Sequence, residues 1–112
     1  MDKIDITLCK LGICPTYTGY REMYLAIQLT LEDPARLTAL VRRIYTPVGQ
    51  ATGKRWTAVE RNLRTVVRRA WEANPAYMVE IAGRPLEHKP ETGEFLAMMW
   101  GYLTGREEDI AT

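Results

Sequence analysis

The sequence has no serine, one histidine (His88) and two cysteines (Cys9 and Cys14). Nucleophilic catalysis would need His88 beside one of the two thiols, because the chain offers no serine nucleophile. No glycine-rich phosphate loop is present. A zinc site would need four ligands at closer spacing. The sequence therefore predicts a protein that is not an enzyme and that holds no metal or cofactor.

Long apolar runs are also missing, and none approaches the ~20 residues that span a bilayer. No signal peptide precedes the cysteines, so we expect two reduced thiols in a cytoplasmic protein, although their number would allow a disulfide. A length of 112 residues fits a single domain over residues 1–112, and the hydrophobic fraction of 46% is enough for a core. The net charge of +1 gives no overall attraction to nucleic acid.

Apolar residues recur at helical spacing along most of the chain, with Asp-Pro and Thr-Pro pairs at the predicted restarts. In these pairs Asp33 and Thr46 are the predicted N-caps, and Pro34 and Pro47 are the first helical residues. Residues 4–11 could form a strand or a short helix, and residues 76–82 could be helical or extended. Residues 84–91 contain two prolines and predict a loop, and the polar tail 106–112 predicts a frayed end. Helices are predicted at residues 20–32, 34–45, 47–52, 57–71 and 92–104.

The helix predicted at residues 57–71 has two different faces. Its apolar stripe consists of Val59, Leu63, Val66, Val67 and Ala70. At about 100° per residue, an arc of roughly 60° on the opposite side holds four polar residues; these are Thr57, Arg61, Arg64 and Arg68. Thr57 and Glu60 have the spacing of a capping box. The preceding short helix, the turn containing Gly53 and this long helix together predict a helix-turn-helix.

Basic residues cluster on and before this helix. Residues 54–69 contain six basic residues and one acid, Glu60. By this count the basic residues have almost no acidic partners four positions away, which argues against a face that is merely solvated. Guanidinium groups on a rigid helix suit phosphates and the acceptor edge of guanine. Glu60 can serve the capping box or accept from a cytosine amino group, and Lys54 and Arg55 can contact phosphates or lie in a solvated turn.

Four segments resemble a known family: LGICPTYTGYREMYLAI, IYTPVGQATGK, TAVERNLRTVVRRAW and KPETGEFLAMM. They are similar to the C-terminal effector domain of the sporulation stage-zero master response regulator of endospore-forming Firmicutes. The resemblance implies an all-α, six-helix domain of the winged-helix-like superfamily with a central helix-turn-helix. It implies a transcription regulator that binds double-stranded DNA as tandem copies and touches the RNA polymerase sigma factor. The family's base-reading glutamate and arginines fall on Glu60, Arg61 and Arg64, and its backbone-positioning hydroxyl on Thr57.

Three departures from the family pattern accompany this resemblance. Ala58 stands where the family usually has arginine, and the segment between Trp71 and Phe95 is shorter. The receiver domain that precedes the effector domain in the family is not in this sequence, so we expect either a free-standing effector domain or a piece of a longer chain. An alternative function follows, in which a degenerate effector domain acts as a protein-interaction module on a related regulator or on RNA polymerase.

Overall fold

A computed structural model describes residues 1–105, and these residues are helical wherever they have regular structure. Within residues 1–105 there are six α-helices, and a 3-10 segment, Pro34–Ala39, and a π-helical segment, Val41–Tyr45, connect the second and the third. The α-helices are α1 (Lys3–Lys10), α2 (Tyr20–Glu32), α3 (Thr46–Thr52), α4 (Trp56–Ala73), α5 (Pro75–Ala82) and α6 (Thr92–Leu103).

The all-α prediction is confirmed, since residues 1–105 contain no strand and so no β-wing beside α4. The frayed tail predicted for residues 106–112 lies outside the described residues. No helix in the described part of the chain is long and apolar enough to cross a membrane.

The two segments with ambiguous patterns are both helices. Asp2 caps α1, its side chain accepting a hydrogen bond from the Asp5 amide at 2.9 Å. Asn74 caps α5 in the same way through the Tyr77 amide at 3.1 Å. Since a side-chain cap satisfies an amide that the first turn leaves unpaired, these polar residues favour the helical alternative.

The connection from Pro34 to α3 differs from the prediction. Asp33 caps the 3-10 segment, as its position before Pro34 predicts. The prediction that Thr46 is an N-cap is wrong, because its backbone is helical and the chain runs without a break from the π-helical segment into α3. Proline has no N–H, so Pro47 cannot bond the Arg43 carbonyl one turn earlier. The Arg36 guanidinium donates to that carbonyl instead, at 2.9 Å.

The core lies around α2, which packs against α1, α3, α4 and α6. The apolar stripe predicted for α4 is buried along its whole length, which confirms that face. Burying its valine and leucine side chains contributes about 1.5–3 kcal/mol each. The opposite face of α4 therefore points away from the core.

Candidate nucleic-acid interface

The turn between α3 and α4 is built on two glycines. Gly53 ends α3 with φ 72° and ψ 30°, the left-handed conformation that glycine adopts without a steric cost. The Lys54 amide donates to the Gly49 carbonyl at 2.9 Å, and a Cβ on Gly49 would overlap the Lys54 carbonyl oxygen. Only glycine fits at residue 49, and this close approach fixes the turn. The predicted helix–turn–helix order over α3 and α4 is thus present.

The start of α4 corrects the predicted capping box. The helix begins at Trp56 with Arg55 as its N-cap, and no side chain caps it. The Arg55 carbonyl accepts from the Val59 amide at 3.1 Å, which places Thr57 inside the first turn. Thr57 and Glu60 therefore do not form a capping box, and both lie on the outer side of the helix.

The polar face of α4 carries the side chains predicted to bind DNA. Thr57, Arg61 and Arg64 are exposed, Arg68 is exposed one turn further on, and Glu60 is half-buried. At about 1.5 Å per residue, the row from Thr57 to Arg68 is roughly 16 Å long. The major groove of DNA is about 12 Å wide and admits a helix, so a row of this kind can face base edges in it. We call these five residues the outer face of α4.

Two ion pairs lie on or beside the outer face. Arg64 Nη1 contacts the Glu60 carboxylate oxygens at 2.8 and 3.1 Å, and Arg68 Nη1 lies 3.6 Å from Glu72 Oε1. The expectation that i+4 partners are nearly absent is therefore wrong. Glu60 had been assigned to the capping box, and Glu72 lies beyond the residues 54–69 that were counted. Exposed i,i+4 pairs contribute only about 0.3–0.5 kcal/mol, so an anionic ligand can displace them.

The two basic residues of the turn have different surroundings. Arg55 is exposed. Lys54 Nζ lies 2.6 Å from Glu22 Oε1, and Asn62 Nδ2 donates to the same oxygen at 2.8 Å. Burial raises the pKa of Glu22, but the hydrogen bonds from Lys54 and Asn62 outweigh it, so the net pKa is lowered.

Sequence reasoning missed Glu22. Glu22 lies 32 positions before Lys54, and the residue is 3% exposed beside the apolar stripe of α2. Its one signal was that an acid stands next to Met23, on the side of the helix that packs inwards. Spacing within one helix cannot reveal a partner on another.

A helix-turn-helix within an all-α domain, with arginines along the outward side of its second helix, defines the class of DNA-binding regulatory domains. The family model described as "Sporulation initiation factor Spo0A C terminal" matches residues 4–103, and the chain belongs to this family. No curated protein matches the chain. The family is one of DNA-binding sporulation regulators and is not an enzyme family. The resemblance seen in the sequence is thus confirmed.

Proposed function

We propose that this protein is a sequence-specific transcription regulator that places α4 in the major groove of double-stranded DNA. The observation that carries the proposal is the row of outward guanidinium groups on a helix whose other side is buried in the core. A rigid helix with one anchored side can present side chains to base edges in a fixed register.

The proposed base contacts lie in the first half of α4, which spans Trp56–Ala73. In a helix-turn-helix the N-terminal turns of the second helix enter the groove deepest. Arg61 and Arg64 lie there and read guanine through its two acceptors. Glu60 accepts from a cytosine amino group once Arg64 has turned towards DNA. This exchange is inexpensive because the Glu60–Arg64 pair is exposed to solvent.

The proposed phosphate contacts flank these base contacts. Arg68 lies one turn later, where the helix rises past the backbone. Arg55 lies just before the helix, and the Thr57 hydroxyl positions the backbone. Lys54 was predicted in the same role, but its ammonium is already paired with the Glu22 carboxylate.

Further partners rest on the family resemblance. On that basis we propose two partners, a second copy of this protein bound to an adjacent DNA site and the RNA polymerase sigma factor. A cytoplasmic location follows from the proposed access to DNA.

The protein-interaction module remains the alternative, and the two ion pairs support it because they reduce the charge offered to DNA. Salt dependence separates the two functions. Neutralising about five phosphates gives a slope of log K against log salt of about −4 to −5. A partner surface of protein gives a shallow slope.

The test is selection from a pool of random duplexes, followed by sequencing of the bound fraction. The proposal predicts enrichment of one short motif, with binding that follows the steep salt slope. Binding without any enriched motif would contradict sequence specificity. Absence of DNA binding at low salt, with the protein folded, would favour the interaction module.

A further inference from the structure

A buried carboxylate links α2 to the turn and to the second helix of the helix-turn-helix. Glu22 is 3% exposed, and one of its oxygens accepts from Lys54 in the turn and from Asn62 in α4. A buried charge is costly unless it is paired and hydrogen-bonded. Lys54 supplies the charge and Asn62 the second hydrogen bond, so removing either partner leaves a poorly satisfied anion.

The contacts around this carboxylate explain what it holds. Lys54 belongs to the turn, whose backbone is already bound to Gly49. Asn62 directly follows Arg61, one of the proposed base readers. The start of α2 comes close to the same part of α4, since a Cβ on Gly19 would lie 3.4 Å from the Asn62 carbonyl oxygen. The Glu22 carboxylate therefore joins the turn and the second turn of α4 to one rigid support.

The same geometry bears on the charge of Lys54. Its side chain is 39% exposed, but its ammonium lies 2.6 Å from the carboxylate. Moving that ammonium to a DNA phosphate would leave Glu22 buried with Asn62 alone. Arg55, the neighbouring cation, is exposed and has no such commitment to the core. The two adjacent basic residues thus differ in what binding to phosphate would cost.

We propose that Glu22, Lys54 and Asn62 form a clamp that fixes the angle of α4 against the turn, and that Lys54 serves this clamp instead of a phosphate. Glu22 and Lys54 are then positioning residues for base reading. The effect on base reading rests on the proposed function, whereas the clamp itself does not. Stability and DNA binding are therefore measured separately.

The first test compares Lys54→Met with Arg55→Met, which removes the adjacent cation. Lys54→Met should lower the Tm by about 5 °C or more, because it leaves a buried anion unpaired. It should leave the salt slope of DNA binding unchanged. Arg55→Met should leave the Tm nearly unchanged and make the slope shallower by about 0.9. A Lys54→Met variant with the wild-type Tm and a shallower slope would overturn the clamp.

The second test adds Glu22→Gln, alone and combined with Lys54→Met. The double variant has no buried charge to leave unpaired, so it should recover at least half of the Tm lost in Lys54→Met. Losses that simply add would overturn the pairing. The double variant removes both charges and nearly keeps both side-chain shapes. If Lys54→Met does not fold, a folded double variant still supports the pairing, and an unfolded double variant overturns it.

The third test asks whether the clamp positions the reader. At a temperature where Glu22→Gln is fully folded, its ratio of motif binding to random-duplex binding should fall about fivefold or more. An unchanged ratio would overturn the positioning role. If the wild-type protein itself prefers no duplex, the proposed function fails, and the Tm comparison of the single and double variants still decides whether the clamp exists.

Discussion

Replacing Arg64 by alanine tests whether this arginine reads a base or is only an exposed, solvated side chain. In the free protein its guanidinium contacts Glu60 at 2.8 Å, and the side chain is 56% exposed. The substitution removes this pair and nothing from the core. Alanine also has a high helix propensity, so α4 keeps its conformation.

The two expected magnitudes are far apart. The exposed pair contributes at most about 0.5 kcal/mol to the free energy of unfolding. The loss of a bidentate arginine–guanine contact costs about 1–3 kcal/mol of discrimination, or roughly 5- to 150-fold in affinity. Arg64→Ala should therefore change the Tm by no more than about 4 °C while its preference for the selected motif collapses.

The assay is a fluorescence titration of the selected duplex and of a scrambled duplex of the same composition. Arg84→Ala is the matched control. Arg84 is also exposed and is paired with Glu94, but it lies after α5, outside the helix-turn-helix. The control should keep the wild-type ratio of the two affinities. If Arg64→Ala stays folded and keeps that ratio too, α4 is not the reader.

Three further outcomes follow from the same geometry. Arg68→Ala should weaken binding to both duplexes about equally and make the salt slope shallower by roughly one unit, whereas loss of the motif preference alone would place Arg68 on a base. Gly49→Ala should cost about 1–3 kcal/mol in urea unfolding, because its Cβ would overlap the Lys54 carbonyl; a neutral effect would contradict the tight turn. Unfolded Glu22 takes up a proton at its ordinary pKa of 4.5 and folded Glu22 only at lower pH, so the free energy of unfolding should fall as the pH drops below about 4.5. Glu22→Gln should lose less over that window, and equal losses in both proteins would refute the lowered pKa.

The elements that the sequence predicted well are those with a strong helical period. The buried stripe of α4 and the extent of α2 follow directly from the spacing of their apolar residues. The outer face of α4 follows from the same period, because burying one side of a helix determines the other. Gly53 marked the turn because glycine adopts the left-handed conformation at the end of a helix without a steric cost.

Sequence reasoning missed one contact between distant residues and misplaced the starts of two helices. The ion pair of Glu22 with Lys54 joins two elements, so spacing within one helix does not reveal it. Thr46 looked like a cap, but the Arg36 guanidinium satisfies the carbonyl that Pro47 leaves without a partner, so the helix continues. Thr57 and Glu60 have capping-box spacing, yet α4 begins one residue earlier and Glu60 pairs with Arg64. Capping-box spacing and i,i+4 pairing are both open to Glu60, and spacing alone does not decide between them.

The most direct measurement of the central claim is an NMR titration of the protein with the selected duplex, observing the arginine side-chain Nε–H signals. The account predicts that the signals of Arg61, Arg64 and Arg68 shift or broaden on binding. The signals of Arg84 and Arg42, which lie outside α4, should stay in place. Binding that moves Arg42 or Arg84 while the three arginines of α4 remain unchanged would show that DNA meets another surface, and the account would be wrong.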